Sequence, residues 1–188
     1  AEAGVAAPRR RAAPALAEAV RAQLPALALP KADLEVEVDG RAGRDVSFRF
    51  AANPGMPLRP LAKVASGGEL ARAMLALRLV LTEGPPVLVF DEVDAGIGGA
   101  AALAVGRSLA ALGRDHQVLV VTHLAQVASW AHHQVVVDKV VDGRSTRTTV
   151  TPVDGEDRVT ELARMLSGKE SSTSARDHAR ELLDEALT

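Results

Sequence analysis

The sequence has no cysteine among its 188 residues, which excludes disulfides, thiol nucleophiles and cysteine-ligated zinc and points to no oxidising compartment. It also has no apolar run approaching the roughly 20 residues of a membrane span, so a soluble protein is expected. The amino terminus, AEAGVAAPRRRAAPAL, carries a basic run but no continuous apolar stretch ahead of a small-residue cleavage site. It does not read as a signal peptide, and a cytoplasmic location is the default expectation. An excess of one charge is missing too. At a formal net charge of -2 the chain is no general polyanion binder, so nucleic-acid contact has to come from local clusters such as Arg9, Arg10 and Arg11, although such a triplet is more often a solvated helix face. There is no internal repeat, and no low-complexity tract beyond an alanine bias. What remains is a composition 47% hydrophobic and 24% charged, that of a globular chain large enough to bury its own core as one domain or as one lobe of a larger one.

Along the chain, Leu16, Val20 and Leu24 recur at helical spacing, and Pro25 and Pro30 mark an end, which predicts an amphipathic helix over 12–29. Leu34, Val36 and Val38 then alternate with charged residues, as do Val46, Phe48 and Phe50 beyond Gly40 and Gly43. This predicts two half-buried strands in a hairpin, followed by a breaker-rich connection with Asn53, Pro54, Gly55, Pro57 and Pro60. After Pro60 helices and strands alternate: a helix over 69–82, an apolar strand over 87–90, a helix over 100–112, a strand over 118–121 and a short helix over 124–130. Continuous apolar strands between helices imply a largely parallel sheet covered on both faces, hence an α/β fold. Strands over 135–141 and 146–153 predict an antiparallel hairpin across Asp142 and Gly143. Two amphipathic helices close the chain, one carrying Val159, Leu162 and Leu166, the other Ala175, Ala179, Leu182 and Ala186.

Three segments are candidates for chemistry. KVASGGEL (63–70) opens a helix, and Ser66 with Glu69 forms the pattern of a capping box, which is a structural explanation by itself. The adjacent Gly67 and Gly68 add what a cap does not require, an unobstructed backbone whose amides lie at the positive end of the helix, where an anion such as a phosphate binds. VLVFDEVD (87–94) brings Asp91 out at the carboxyl end of a buried strand, where open α/β sheets place ligands. There Asp91 would hold magnesium through water and Glu92 would orient or deprotonate an attacking water; the alternative is a solvated strand end. VLVVTHLA (118–125) ends another strand in Thr122 and His123, a histidine that either hydrogen bonds a transferring phosphoryl group, holds the water, or is an ordinary rim residue. His116, His132, His133 and His178 have no such context.

Order and wording join these segments. Ser66 stands 25 positions before Asp91, and His123 stands 32 after it; this order resembles the second half of the ATP-binding-cassette ATPases, with signature motif, Walker B strand and switch histidine. KVASGGELARAMLAL, FDEVDAGIGG and VTHLAQVA, with FAANPGMPLRPLAKV before them and ELARMLSG after, resemble the RecN family of bacterial DNA double-strand-break repair proteins, relatives of the structural-maintenance-of-chromosomes (SMC) proteins. The resemblance runs from about Arg11 to the end. It implies residues 1–30 as the end of a returning coiled-coil arm with its linker, and 31–188 as the carboxy-terminal lobe of an ABC-type head. It further implies that Ser66, Gly67, Gly68 and Glu69 contact the γ-phosphate of ATP bound to the opposite head of a homodimer. Asp91 would serve Mg2+, Glu92 would be the catalytic base, His123 would sense the γ-phosphate, and Asp94 would open the loop that crosses to the other protomer. The sequence departs from the superfamily at Gly98, where transporters end that loop with aspartate, and at Ala65, where many relatives have leucine.

A phosphate-cradling loop of the form GxxxxGK followed by Ser or Thr is missing. The one near match, Gly168 and Lys169 followed by Glu170, lacks the earlier glycine at Ala163 and sits between two helices, so Gly168 reads as a helix terminator. The Walker A loop is therefore expected in an amino-terminal lobe of the same protein, and the chain alone is expected to be inactive. The intact protein would hydrolyse ATP, pair its heads on ATP and couple that cycle to holding DNA. Two other readings stay open: a structural or DNA-interaction lobe without catalysis, and a magnesium-dependent phosphohydrolase that needs no partner.

Overall fold

The computed structural model describes residues 3–40, 42–63, 66–81, 84–142, 145–169 and 172–187. Val64 and Ala65 ahead of the glycine pair, Thr82, Gly143 and Glu170 lie outside them. The chain divides into two compact units, Ala1–Ile97 with Leu112–Val121, and Gly98–Ala111 with Thr122–Thr188.

The first unit begins with helix α1 (Ala3–Gln23), which packs on strand β1 (Asp33–Asp39). α1 starts well before residue 12 and runs through Pro8 and Pro14. Each proline removes a helical hydrogen bond, but Arg9 Nη1 donates to the Gly43 carbonyl at 2.8 Å and Arg10 Nη2 to that of Gly40 at 2.7 Å. Two of the three basic residues thus brace the helix on the hairpin. β1 pairs antiparallel with β2 (Asp45–Ala51), with Leu34 opposite Phe50, Val36 opposite Phe48 and Val38 opposite Val46, a register in which the alternating apolar positions of the expected hairpin share one face. β3 (Arg59–Pro60) adds a two-residue edge inside what reads as a loop. Val20, Leu24, Leu27, Leu34 and Phe50 are buried.

Helix α2 (Gly67–Val80) buries Ala73, Leu75, Ala76 and Leu77 and leads to strand β4 (Val87–Phe90). β4 pairs in parallel with β5 (Gln117–Val120), with Phe90 opposite Val120. The largely parallel sheet expected from sequence is reduced here, among the described residues, to this one parallel pair beside two antiparallel sheets. Nor are both faces covered. Leu88 and Phe90 are buried, while Val87, Val89, Leu119 and Val121 are 44%, 68%, 50% and 63% exposed. An apolar run records that both faces are to be covered, not that the same chain covers them.

The second unit holds most of helix α3 (Gly99–Leu112), the short α4 (Ala125–Ala128), the hairpin of β6 (Gln134–Asp142) and β7 (Ser145–Val153), and helices α5 (Gly155–Ser167) and α6 (Thr173–Leu187). Its core joins Ala125 and Ala128 to Val159, Leu162 and Ala163 of α5 and to Ala175, Ala179 and Leu182 of α6, with Leu166 partly buried against it; all but Ala163 of these α5 and α6 residues are expected periodic positions. Gly168 ends α5 in the left-handed region at φ 71°, its N–H bonded to the Arg164 carbonyl at 2.7 Å. It is the helix terminator that the sequence implies.

Candidate functional site

Ser66 caps α2 from an extended conformation, its Oγ accepting from the Glu69 N–H at 3.4 Å. That accounts for one of the first amides of the helix, which have no intrahelical acceptor. Gly67 is exposed at the same mouth and Gly68 is buried beneath it.

What lies against this mouth is the segment that follows β4. Asp91 and Glu92 are exposed, whereas Val93 and Asp94 are buried. Glu92 has φ 57°, a left-handed conformation that costs a non-glycine residue about 1 kcal/mol or more and persists only where the surroundings impose it. Its carbonyl accepts from Ala95 N–H at 3.0 Å, and that of Asp94 accepts from Ile97 N–H at 3.3 Å, giving two successive turns. Glu92 Oε2 lies 2.5 Å from where a Gly67 Cβ would stand. A carboxylate therefore already faces the amide mouth, as the partial positive charge of a helix amino terminus favours.

The two glycines have different reasons to be there. A Cβ on Gly68 would meet the Ala95 carbonyl oxygen at 2.7 Å and the Ala95 Cβ at 3.0 Å; α2 and the turn after β4 are in backbone contact. A Cβ on Gly67 would meet only the free end of the Glu92 side chain. Gly68→Ala is therefore expected to destabilise the chain by about 1–3 kcal/mol through overpacking. Gly67→Ala displaces the Glu92 carboxylate and leaves stability within about 1 kcal/mol of wild type, alanine being the better helix former. Urea unfolding midpoints of the two variants check this, and equal losses would contradict the backbone contact at Gly68.

Arg72, one turn further along α2, is the residue that sequence reading passed over. It is 5% exposed, and its Nη1 donates to the carbonyls of Ala95 at 2.8 Å and Val93 at 3.3 Å. Burial pulls its guanidinium below the ordinary range, and the nearby Glu69 carboxylate opposes that. The signal was present: Arg72 falls in helical phase with Leu75 and Ala76, on the face that an apolar residue would occupy.

His123 belongs to the second unit, where it is exposed; Thr122 Oγ1 accepts from the Leu124 N–H at 3.1 Å. The segment after it is clamped by Arg158 of α5, whose Nη2 donates to the carbonyls of Ala128, Ser129 and Ala131 and whose Nε donates to Gln134 Oε1. Burial lowers the basicity of that guanidinium as well. The ring of His116 sits 3.1 Å from the Pro85 carbonyl, a packing role in keeping with its lack of motif context.

Among the described residues no cluster of three or more histidine, aspartate or glutamate side chains forms a metal cage. A lone exposed carboxylate such as Asp91 fits magnesium of the kind that keeps several waters and takes other ligands from substrate phosphates. The arrangement can therefore offer an anion the mouth of α2 and offer a water the Glu92 carboxylate, both fixed to one small piece of backbone.

The fold is similar to that of SMC head domains. The chain superposes with a TM-score of 0.59 on the Smc head domain with coiled coil and joint of Pyrococcus yayanosii, over 92% of this chain and 29% of that one at 18% identity. It superposes with a TM-score of 0.54 on a chain solved in work on ATP-driven dimerisation and DNA-stimulated activation of SMC ATPases, over 85% of this chain and 96% of that one, also at 18% identity.

By sequence the chain belongs with the DNA repair protein RecN: it is 48% identical to that of Streptomyces coelicolor over 95% of its length and 49% identical to that of Deinococcus radiodurans over 93%. It spans about a third of the length of these curated relatives, 35% and 32%. No protein-family model matches the chain.

Proposed function

We propose that the chain is the carboxy-terminal lobe of an ATPase head that acts in DNA double-strand-break repair, one half of a composite nucleotide site. The observation that carries this reading is the joining of the Ser66–Gly68 mouth to the turn holding Asp91 and Glu92. The mouth would receive the γ-phosphate of ATP held by a second head, with Ser66, Gly67, Gly68 and Glu69 around it. Glu92 would take a proton from the attacking water in its own head, since a carboxylate held within hydrogen-bonding reach is the required base. His123 would hydrogen bond the transferring phosphoryl group. Asp91 would hold Mg2+, which when bound supplies charge neutralisation for the phosphates. Asp94, buried beneath the turn, supports the loop that would cross to the second head.

The remaining partners follow from the same reading. A lobe carrying the Walker A loop would cover the apolar face of Val87, Val89, Leu119 and Val121. α1 would continue into a coiled-coil arm, residues 1–30 being its end and linker, and the arms would couple head opening to holding DNA at the nucleoid in the cytoplasm.

Phosphate release from ATP and magnesium tests this, measured for the chain alone and with an amino-terminal lobe added. The chain alone is expected to be inert and the mixture active. Equal activity without the added lobe would instead mean an independent phosphohydrolase, and an inert full-length protein a structural lobe.

A further inference from the structure

Two elements that the proposed function assigns to different pockets are built here as one body. α2 presents the Ser66–Gly68 mouth, which would serve the partner's nucleotide, and the turn after β4 presents Glu92, which would serve the head's own. Three contacts tie them together: the Gly68 backbone against the Ala95 carbonyl, the Glu92 carboxylate over Gly67, and the buried Arg72 Nη1 shared between the carbonyls of Val93 and Ala95. The first two are contacts of shape and charge. Of these three, the third is a directed polar bond between the helix and the turn, and it holds the carbonyls on either side of buried Asp94, one and three residues beyond a glutamate in a strained conformation.

We infer that Arg72 is a positioning residue that locks the Glu92 turn to the mouth of α2, so that occupation of one composite site is transmitted to the catalytic carboxylate of the other. This rests on the ATPase reading. A buried arginine bonded only to carbonyls is an expensive way to fill that space, since its charge has no carboxylate partner among those bonds. What it supplies that an apolar residue cannot is a fixed distance between two backbones. If the turn relaxed from its left-handed conformation at Glu92, the carboxylate would swing away from the position set by α2. A misplacement of about 1 Å is enough to cost a catalytic group much of its effect.

The test uses the full-length protein with Arg72→Met, Arg72→Lys and Glu92→Gln, reading ATP turnover against ATP concentration and the thermal unfolding midpoint. Arg72→Met keeps the volume and removes the donor; kcat is expected to fall about tenfold or more with KM within about twofold, and any cooperativity in ATP to be lost. A lysine also reaches with a single nitrogen bearing several donors, so Arg72→Lys is expected to restore most of kcat. A purely structural role would lower the midpoint and reduce activity only in proportion to the folded fraction. Wild-type kcat and cooperativity in folded Arg72→Met, or a loss that tracks unfolding, would overturn the inference. Should Arg72→Met not fold, Arg72→Gln stays polar on an arm too short to bridge the Val93 and Ala95 carbonyls; a reduced kcat at unchanged KM supports the lock and an unchanged kcat refutes it. Glu92→Gln and the wild type separate the two levels: a full-length wild type that does not hydrolyse ATP sinks the ATPase reading, normal turnover by Glu92→Gln removes Glu92 as the base and the positioning role with it, and an inactive Glu92→Gln beside a fully active Arg72→Met sinks only the positioning role.

Discussion

Glu92→Gln in the full-length protein is expected to lower ATP turnover by about 100-fold or more, the scale of a positioned general base, while ATP still drives the heads together. The substitution keeps the size and shape of the side chain and removes its capacity to accept a proton. The amide mouth of α2 stays intact, because the cap at Ser66 and the contact of Gly68 with Ala95 do not involve the Glu92 side chain. Binding and hydrolysis should therefore come apart, with sedimentation showing an ATP-dependent dimer that persists because it cannot complete the cycle. Hydrolysis at the wild-type rate would remove Glu92 from the chemistry. Loss of ATP-driven pairing together with hydrolysis would mean that the residue serves the interface.

Ser66→Arg is the second large effect, and it acts by a different route. The side chain of residue 66 stands exposed at the open end of α2, and an arginine there would fill the mouth with its own guanidinium and remove the hydroxyl that caps the helix, the latter costing about 1 kcal/mol. Turnover is expected to fall by about 100-fold while a single head binds nucleotide with unchanged affinity, since the mouth would act on ATP held elsewhere. Equilibrium binding of a labelled nucleotide under monomeric conditions checks this. If binding to the monomer disappears, the mouth serves its own subunit.

The parts of this architecture legible in the sequence are those where one local rule suffices. The alternation of Leu34, Val36 and Val38 with that of Val46, Phe48 and Phe50 marks the two strands of the hairpin and the apolar face they share, and those residues pair across it. Ser66 three positions before Glu69 marks the cap of α2, which starts at Gly67, two residues ahead of the predicted helix. Where distant parts of the chain decide, the sequence is misleading. The predicted helix begins only at residue 12, yet α1 starts at Ala3 and runs through Pro8 as well as Pro14, with Arg9 and Arg10 anchoring it to hairpin carbonyls some thirty residues away. The apolar runs of β4 and β5 read as a covered parallel sheet, although one face of the pair is open.

The candidate site divides in the same way. Gly67, Gly68, Asp91 and Glu92 stand out by residue type, and the structure brings them together within the first unit. The left-handed conformation of Glu92 had no marker, because the usual sign is a glycine or asparagine, and here the turn is imposed by its neighbours. Arg72 escaped notice because a lone arginine in a helix normally points to water. Its phase with Leu75 and Ala76 shows otherwise, but only once the buried face of α2 is known.

The central claim is that one polypeptide contributes the mouth of α2 to one nucleotide pocket and Glu92 to another. Mixing full-length Ser66→Arg protein with full-length Glu92→Gln protein tests it most directly, each being inactive alone. In the mixed dimer one pocket pairs an intact Glu92 with an intact Ser66 from the partner, so ATP turnover should reappear, at up to roughly a quarter of the wild-type rate if subunits pair at random and lower to the extent that the two pockets are coupled. A mixture in which mixed dimers form but remain as inactive as its components would show that both groups serve the same pocket.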